Sequence, residues 1–175
     1  MYRGEKQAKC DDITVPVPPE SKAAVKHGHA DGIAHAVAEA EARCAEAGLR
    51  LTPVRRRVLE ILLEGPRAMG AYEVLARLAA EGQGAHPPVA YRALDFLVAH
   101  GLAHRIARLN AFVACGRPGE RHRPAFLICR GCRSVAEAEA PPGGALGREA
   151  AASGFRIEHT SIEAEGLCPA CSEAS

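Results

Sequence analysis

From Asp31 onward, apolar residues recur at helical spacing: Ile33, Val37, Ala40, Cys44 and Ala47 share one face, and Gly48 stops the run. A second helix starts more sharply, with Thr52 as N-cap and Pro53 at its first position, then Val54, Val58, Ile61 and Leu62 inward and Gly65 after them. The same period predicts a third helix over about 71–81, with Leu75, Leu78 and Ala79 inward. Pro87 and Pro88 open a fourth over 89–100, which turns Ala90, Leu94, Leu97 and Val98 to the core and ends at Gly101. The pattern then becomes extended: 102–107 and 111–115 flank Leu109-Asn110 and read as a hairpin. Helix, helix, recognition helix and hairpin is the order of a winged helix-turn-helix module.

The second half reads differently. A polar loop at 117–123 leads into an apolar strand at 125–129 and a short strand at 134–137; Pro141-Pro142-Gly143-Gly144 then breaks the chain before a helix over 145–153. Residues 155–164, with Phe155, Ile157 and Ile162, read as a longer strand. This is a small α+β domain with too little sheet to bury both faces, and an open sheet edge of that kind invites a second copy of the chain. The opening residues, including Val15-Pro-Val-Pro-Pro19, have no apolar period, so 1–30 is expected to be a flexible tail with His27 and His29 solvated. The expected partition is therefore a tail at 1–30, a winged-helix domain at 31–115, an interdomain loop at 116–124 and a dimerisation domain at 125–175.

Composition changes this picture in one respect. Of 175 residues 47% count as hydrophobic, but 35 are Ala, and Leu, Ile, Val and Phe together number 36. Divided over two small domains, those large side chains leave each core thin, and thin cores usually need a metal or an oligomer contact. Neither a membrane-spanning segment nor a large single-core enzyme fits. The net charge of +1 conceals an asymmetry: residues 50–108 carry nine Arg against five acidic residues, whereas 129–175 carry four against seven. A basic module joined to an acidic one suggests nucleic acid as the partner of the first. The first twenty residues carry charges and prolines where a signal peptide would be apolar, so a cytoplasmic, reducing location is expected. In that setting, seven cysteines are more consistent with metal binding than with disulfides.

Four of those cysteines form two C-x2-C pairs, Cys129-Arg-Gly-Cys132 and Cys168-Pro-Ala-Cys171. Two intervening residues let both thiolates turn to one point about 2.3 Å from a zinc ion, with Gly131 easing the first turn. The two pairs complete a closed site of four thiolates with no position left for substrate. A redox pair would instead open a helix after a strand, which the first pair does not. Such a site can supply on the order of 10 kcal/mol at neutral pH, enough to offset a shortage of large apolar residues. Cys44, on the apolar stripe of the first helix, reads as a buried small hydrophobe.

Leu51-Thr-Pro-Val-Arg55, Ala71-Tyr72, Pro88-Val-Ala-Tyr-Arg-Ala-Leu-Asp-Phe-Leu97 and the two knuckles, in this order, resemble the ferric uptake regulator superfamily. Gly101-Leu-Ala-His104 and Asn110-Ala-Phe-Val-Ala-Cys115 make the likeness strongest to its zinc uptake regulators, over about 36–173. The resemblance implies a homodimeric, zinc-responsive repressor with two zinc ions per subunit, binding double-stranded, AT-rich palindromic operator DNA. It places a regulatory metal site on His104, Cys115, His122 and Glu137. It also assigns Tyr72 and Arg92 to DNA, where Arg92 can contact a guanine bidentately and Tyr72 a thymine methyl or a phosphate. Tyr91 is expected to pack or meet phosphate, and Arg55, Arg56 and Arg57 to add charge without reading sequence.

One thiolate, two imidazoles and a carboxylate suit zinc, whereas iron(II) sensing favours oxygen and nitrogen donors. Arg123-Pro-Ala-Phe126 stands where the iron sensors carry a run of His and Asp. An iron- or peroxide-responsive regulator of the same superfamily is the nearest alternative. A zinc enzyme is a remote one, since no H-E-x-x-H occurs and both inferred sites have four protein ligands. His159 lies where the family has a third metal site, but its usual partners are missing, and it reads as a strand histidine.

Overall fold

A computed structural model describes residues 30–82, 86–120, 122–140, 144–158 and 160–173. The expected tail, with His27 and His29, lies outside the described residues except for Ala30, as do His159 and the break at 141–143. Four helices build the N-terminal half: α1 (Ala30–Glu46), α2 (Pro53–Leu63), α3 (Ala71–Ala80) and α4 (Pro87–Ala99). The Thr52 side chain accepts from the Arg55 N–H at the start of α2, as the sequence predicts. Glu73 closes the start of α3 by accepting from the Gly70 N–H at 2.7 Å. The hairpin follows as β2 (Ala103–Ile106) and β3 (Ala111–Ala114), with Asn110 in the left-handed region at φ 46° in the turn.

A two-residue strand, β1 (Met69–Gly70), pairs with β3 and makes the sheet order β1-β3-β2. Nothing in the alternation of residues announced it, because two residues carry no period. The core of this half joins Val37, Ala40 and Cys44 of α1 to Val58, Ile61 and Leu62 of α2, Val74 and Leu78 of α3, and Leu94 and Leu97 of α4. On α4 the buried face is Ala90, Ala93, Leu94 and Leu97, a strict i, i+3, i+4, i+7 stripe. Val98 falls off that stripe and is exposed, as are Ala47 and Ala79, all three of which the sequence pattern had turned inward.

The C-terminal half is built on β4 (Pro124–Cys129), which lies between β5 (Val135–Glu139) and β6 (Ile162–Gly166) in the order β5-β4-β6. β5 is antiparallel to β4 and β6 is parallel to it. Helix α5 (Ala145–Ala152) precedes β6, and a short helix α6 (Pro169–Glu173) carries the second knuckle. The expected long strand over 155–164 is corrected: only its end is strand, starting at Ile162. A strand needs a ladder partner, and Ile162 already pairs with Ala125 near the start of β4, so 155–158 would lie beyond that strand; they follow the α5 cap instead, where Gly154 has φ 70° and the Phe155 N–H donates to Ala150 O.

The two halves meet through the hairpin. A second core cluster joins Ile106 and Val113 of the hairpin to Phe126 and Ile128 of β4 and Val135 of β5. The Val135 N–H also donates to Pro66 O at 2.8 Å, beside an antiparallel bridge between Arg67 and Ser134. Among the described residues no helix is long and apolar enough to cross a membrane.

Leu94→Ala, at a fully buried position, is expected to destabilise the fold by about 2 to 5 kcal/mol. Val98→Ala, one turn away but 36% exposed, should change stability by no more than about 0.5 kcal/mol, both read by urea unfolding.

Candidate metal centres and nucleic-acid face

The register of β4 against β6 brings the two knuckles together. Cys129, the last residue of β4, is the register partner of Gly166, and the Arg130 N–H donates to Gly166 O at 2.9 Å, so the chain after β6 must cross the first knuckle. The sulfurs of Cys129, Cys132, Cys168 and Cys171 all lie within 4.8 Å of one another. Cys129 Sγ accepts from the N–H groups of Cys132 and Cys168 at 3.5 and 3.3 Å. Those donors pull its thiol down to about 6. The last thiol answers in the opposite direction: Cys171, facing the sulfurs of Cys168, Cys129 and Cys132, is pushed up to about 12. Four converging sulfurs of this kind fit one soft divalent cation and resist a second or third negative charge without it. Gly131 is needed for close approach, since a Cβ there would meet Cys171 Sγ at 3.0 Å. The left-handed residue of this turn is Arg133, with φ 61°.

The second cluster is drawn from both halves. His104 comes from β2, Cys115 follows β3, His122 sits in the loop before β4, and Glu137 is on β5; their ligand atoms again lie within 4.8 Å of one another. Cys115 Sγ is 3.6 Å from His122 Nε2, and Glu137 Oε2 is 3.7 Å from His104 Nε2. Glu137 Oε1 lies 2.8 Å from His122 Nε2, but the two are not aligned for a hydrogen bond. His104 Nε2 is buried with no hydrogen-bond partner among the described residues. Converging donor atoms of which two, His104 Nε2 and Glu137 Oε1, are buried without a hydrogen bond are what a cation site looks like when its residues are already in place.

Neighbouring groups aim these donors. His122 Nδ1 is 2.9 Å from Glu120 O, which assigns its N–H to Nδ1 and leaves the Nε2 lone pair toward the cluster. Glu137 Oε2 accepts from the Gly116 N–H at 2.9 Å. The His104 ring packs on Phe126, with centroids 5.3 Å apart. Burial, and to a smaller degree His122, lowers the pKa of His104 while Glu137 opposes the shift, so the imidazole is neutral, as a ligand must be. Burial likewise pushes the Cys115 thiol up to about 11. Cys44, by contrast, is buried on the α1 stripe away from both clusters.

The arginines divide into two kinds. Arg57 is tied to Glu60, Glu64 and Glu81 at 2.7–3.1 Å, and Arg56 to Glu41 and Glu60 at 2.8 and 3.0 Å. Glu64 also pairs with Arg77. Arg55 donates to Arg50 O and lies over the Phe96 ring, 3.6 Å from its centroid. Arg92, exposed on α4, makes no ion pair among the described residues. Beside it, Tyr72 at the start of α3 is 72% exposed and Tyr91 40%, their rings edge to face at 6.4 Å. An exposed aromatic pair next to an unpaired arginine at the recognition helix is chemistry suited to thymine methyls, guanine edges and phosphates.

The sequence profile of the ferric uptake regulator family matches residues 46–165. The chain belongs to the ferric uptake regulator family. That family comprises transcription regulators, not enzymes. Among its members, the zinc uptake regulation proteins of Escherichia coli (strain K12) and Shigella flexneri are each 39% identical to this chain over 140 residues, 78% of this chain and 81% of theirs. A solved zinc uptake regulator complexed with zinc and DNA superposes with a TM-score of 0.77 at 38% identity, covering 81% of this chain and 96% of that one. The holo form of XcZur gives 0.71 at 40% identity, covering 78% and 96%. The winged-helix half followed by a small α+β half expected from the sequence is thus the architecture of this family.

Sequence reasoning missed several supporting groups of this family member: the Glu120 carbonyl, the Gly116 N–H and the carboxylate network around Arg57. Only the last left a signal, in the Arg57-x2-Glu60 and Arg57-x6-Glu64 spacings along one helix. Arg57→Ala is expected to destabilise the protein by about 1 kcal/mol through the carboxylates left facing one another. Arg92→Ala should leave the unfolding midpoint unchanged.

Proposed function

We propose that this protein is a zinc-responsive transcriptional repressor of zinc-uptake genes, acting in the cytoplasm as a homodimer on a palindromic operator. The observation that carries the reading is the second cluster: four ligand atoms from both halves of the chain, one of them the unpartnered His104 Nε2. Its thiol distinguishes zinc from iron(II), which favours oxygen and nitrogen donors.

Each subunit has two zinc sites in this reading. Cys129, Cys132, Cys168 and Cys171 hold a permanent one that fastens the end of β6 to the end of β4. His104, Cys115, His122 and Glu137 hold an exchangeable one. Zinc, when bound, supplies a divalent charge on which all four of these donors can converge. His104 and Cys115 belong to the hairpin of a DNA-binding unit at 31–115; His122 lies in a joint at 116–124, and Glu137 in a dimerisation unit at 125–175. Their convergence fixes the hairpin, and with it α4, against the C-terminal sheet.

The exposed apolar residues Leu146, Phe155, Ile157 and Ile162 all lie in the C-terminal half, and they supply the surface a second copy would cover. A dimer closed this way presents two copies of α4 to successive major grooves, about 34 to 36 Å apart. There Arg92 reads a base edge, Tyr72 and Tyr91 meet thymine methyl or phosphate, and Arg55 adds positive potential. Arg56 and Arg57 act as scaffold charges, because their guanidinium groups are occupied by carboxylates.

The deciding measurement is operator binding titrated against free zinc, iron(II) and manganese(II), with bound metal counted in parallel. Zinc alone should drive binding, with two ions per subunit; equal response to iron(II) would overturn the assignment. Cys115→Ser should retain one zinc and the dimer but lose about 5- to 150-fold in zinc-dependent operator affinity. If it keeps that affinity, the second site lies elsewhere. Because burial pushes the Cys115 thiol up to about 11, zinc must displace its proton at neutral pH. Affinity at the second site should therefore rise about tenfold per pH unit between pH 7 and 9, read by chelator competition.

A further inference from the structure

One row of side chains across the C-terminal sheet grips the hairpin at both of its ends. Glu137 of β5, Phe126 of β4 and Glu163 of β6 are successive register partners, which puts their side chains on the same face. Glu137 faces the open end of the hairpin, where Cys115 follows β3, and Phe126 lies against His104. Glu163 reaches the closed end. One carboxylate oxygen accepts from the Ala107 N–H at 2.7 Å and the other from the Arg108 N–H at 2.9 Å. Beside it, Arg108 Nε donates to Glu165 Oε2 at 2.6 Å. Between the two ends, Ile106 and Val113 pack on Phe126.

We infer that Glu163 is a positioning residue, a latch that converts metal-dependent closure into one fixed orientation of the DNA-binding unit; this rests on the zinc-responsive reading above. The metal cluster at Glu137 and the backbone contacts of Pro66 and Arg67 with Val135 and Ser134 all attach the unit along β5 and leave the closed end of the hairpin unanchored. A second attachment at the hairpin turn removes that freedom, and the apolar contacts on Phe126 block rotation about the line joining the two. The latch also suits its partner. Both N–H groups belong to turn residues outside the hairpin ladder, and a carboxylate with two acceptor oxygens matches two adjacent donors in a charge-assisted pair. A small angular error at this joint displaces α4, and two half-sites one helical turn apart tolerate little displacement.

The test uses the full chain with Glu163→Gln, which keeps the shape of the side chain but offers an amide N–H where one acceptor stood. At saturating zinc the variant should still be a dimer with two zinc ions per subunit. Its operator affinity should fall about 5- to 30-fold, with nonspecific DNA affinity unchanged. Paired spin labels on α2 and α5 should report a broadened distance distribution in the zinc-loaded variant where wild type gives a narrow one. Arg108→Ala, which keeps the backbone N–H, should retain most of the affinity. Operator affinity equal to wild type, or loss of zinc or of the dimer along with it, overturns the latch. If wild type itself binds operator without zinc, the zinc-responsive reading fails, and the spin-label comparison still decides whether Glu163 fixes the angle.

Discussion

The register of β4 between its two neighbours is the constraint on which the C-terminal half and its joint depend. With Cys129 opposite Gly166, the second knuckle has to fold over the first; with Phe126 opposite both Glu137 and Glu163, one face of the sheet carries the groups that meet the hairpin. A slip of one residue would send each of these side chains to the other face and separate the four sulfurs. The register is in turn secured at its end by the knuckles, which join strands 33 residues apart in sequence. Fold and candidate metal sites are therefore one arrangement, and neither can be altered alone.

The same arrangement offsets the shortage of large apolar side chains. In the N-terminal half, four helices bury aliphatic residues around α2 in the ordinary way. In the C-terminal half, the buried cluster has only Phe126, Ile128 and Val135 of its own and is completed by Ile106 and Val113 from the hairpin. Seating the hairpin is thus part of folding the C-terminal half, and a change in hairpin seating reaches the sheet directly. The charges follow this division. Arg56, Arg57 and Arg77 bind the helices together through carboxylates, so the basic excess of residues 50–108 rests on the other arginines, Arg92 among them.

Helices, hairpin and knuckles were legible in the sequence because each rests on a local rule: apolar period, Thr-Pro at a helix start, turn residues, C-x2-C spacing. The errors came where tertiary pairing decides. β1 exists only because β3 offers it an edge, and 155–158 are not strand because β4 does not extend far enough to pair with them. Val98 was placed inward by a period that cannot tell the edge of a stripe from its centre. The four residues of the second cluster were found through likeness to a family and not through spacing, since His104 and Glu137 are 33 positions apart and no local rule links them. Glu163 could not be found at all, because its partners are backbone N–H groups, which every sequence has.

The second cluster also bears on how a cation would act at this joint in the proposed reading. Bringing His104, Cys115, His122 and Glu137 together buries an imidazole nitrogen with no partner, lowers the basicity of that ring and raises the Cys115 thiol well above its ordinary value. A buried polar atom without a partner costs about 1 to 3 kcal/mol. Against this stand the buried cluster around Phe126, the hydrogen bonds of Glu163 and the backbone contacts of Pro66 and Arg67 with Val135 and Ser134. In the proposed reading, a divalent ion that these donors hold only when they are together favours this arrangement by its differential affinity for it.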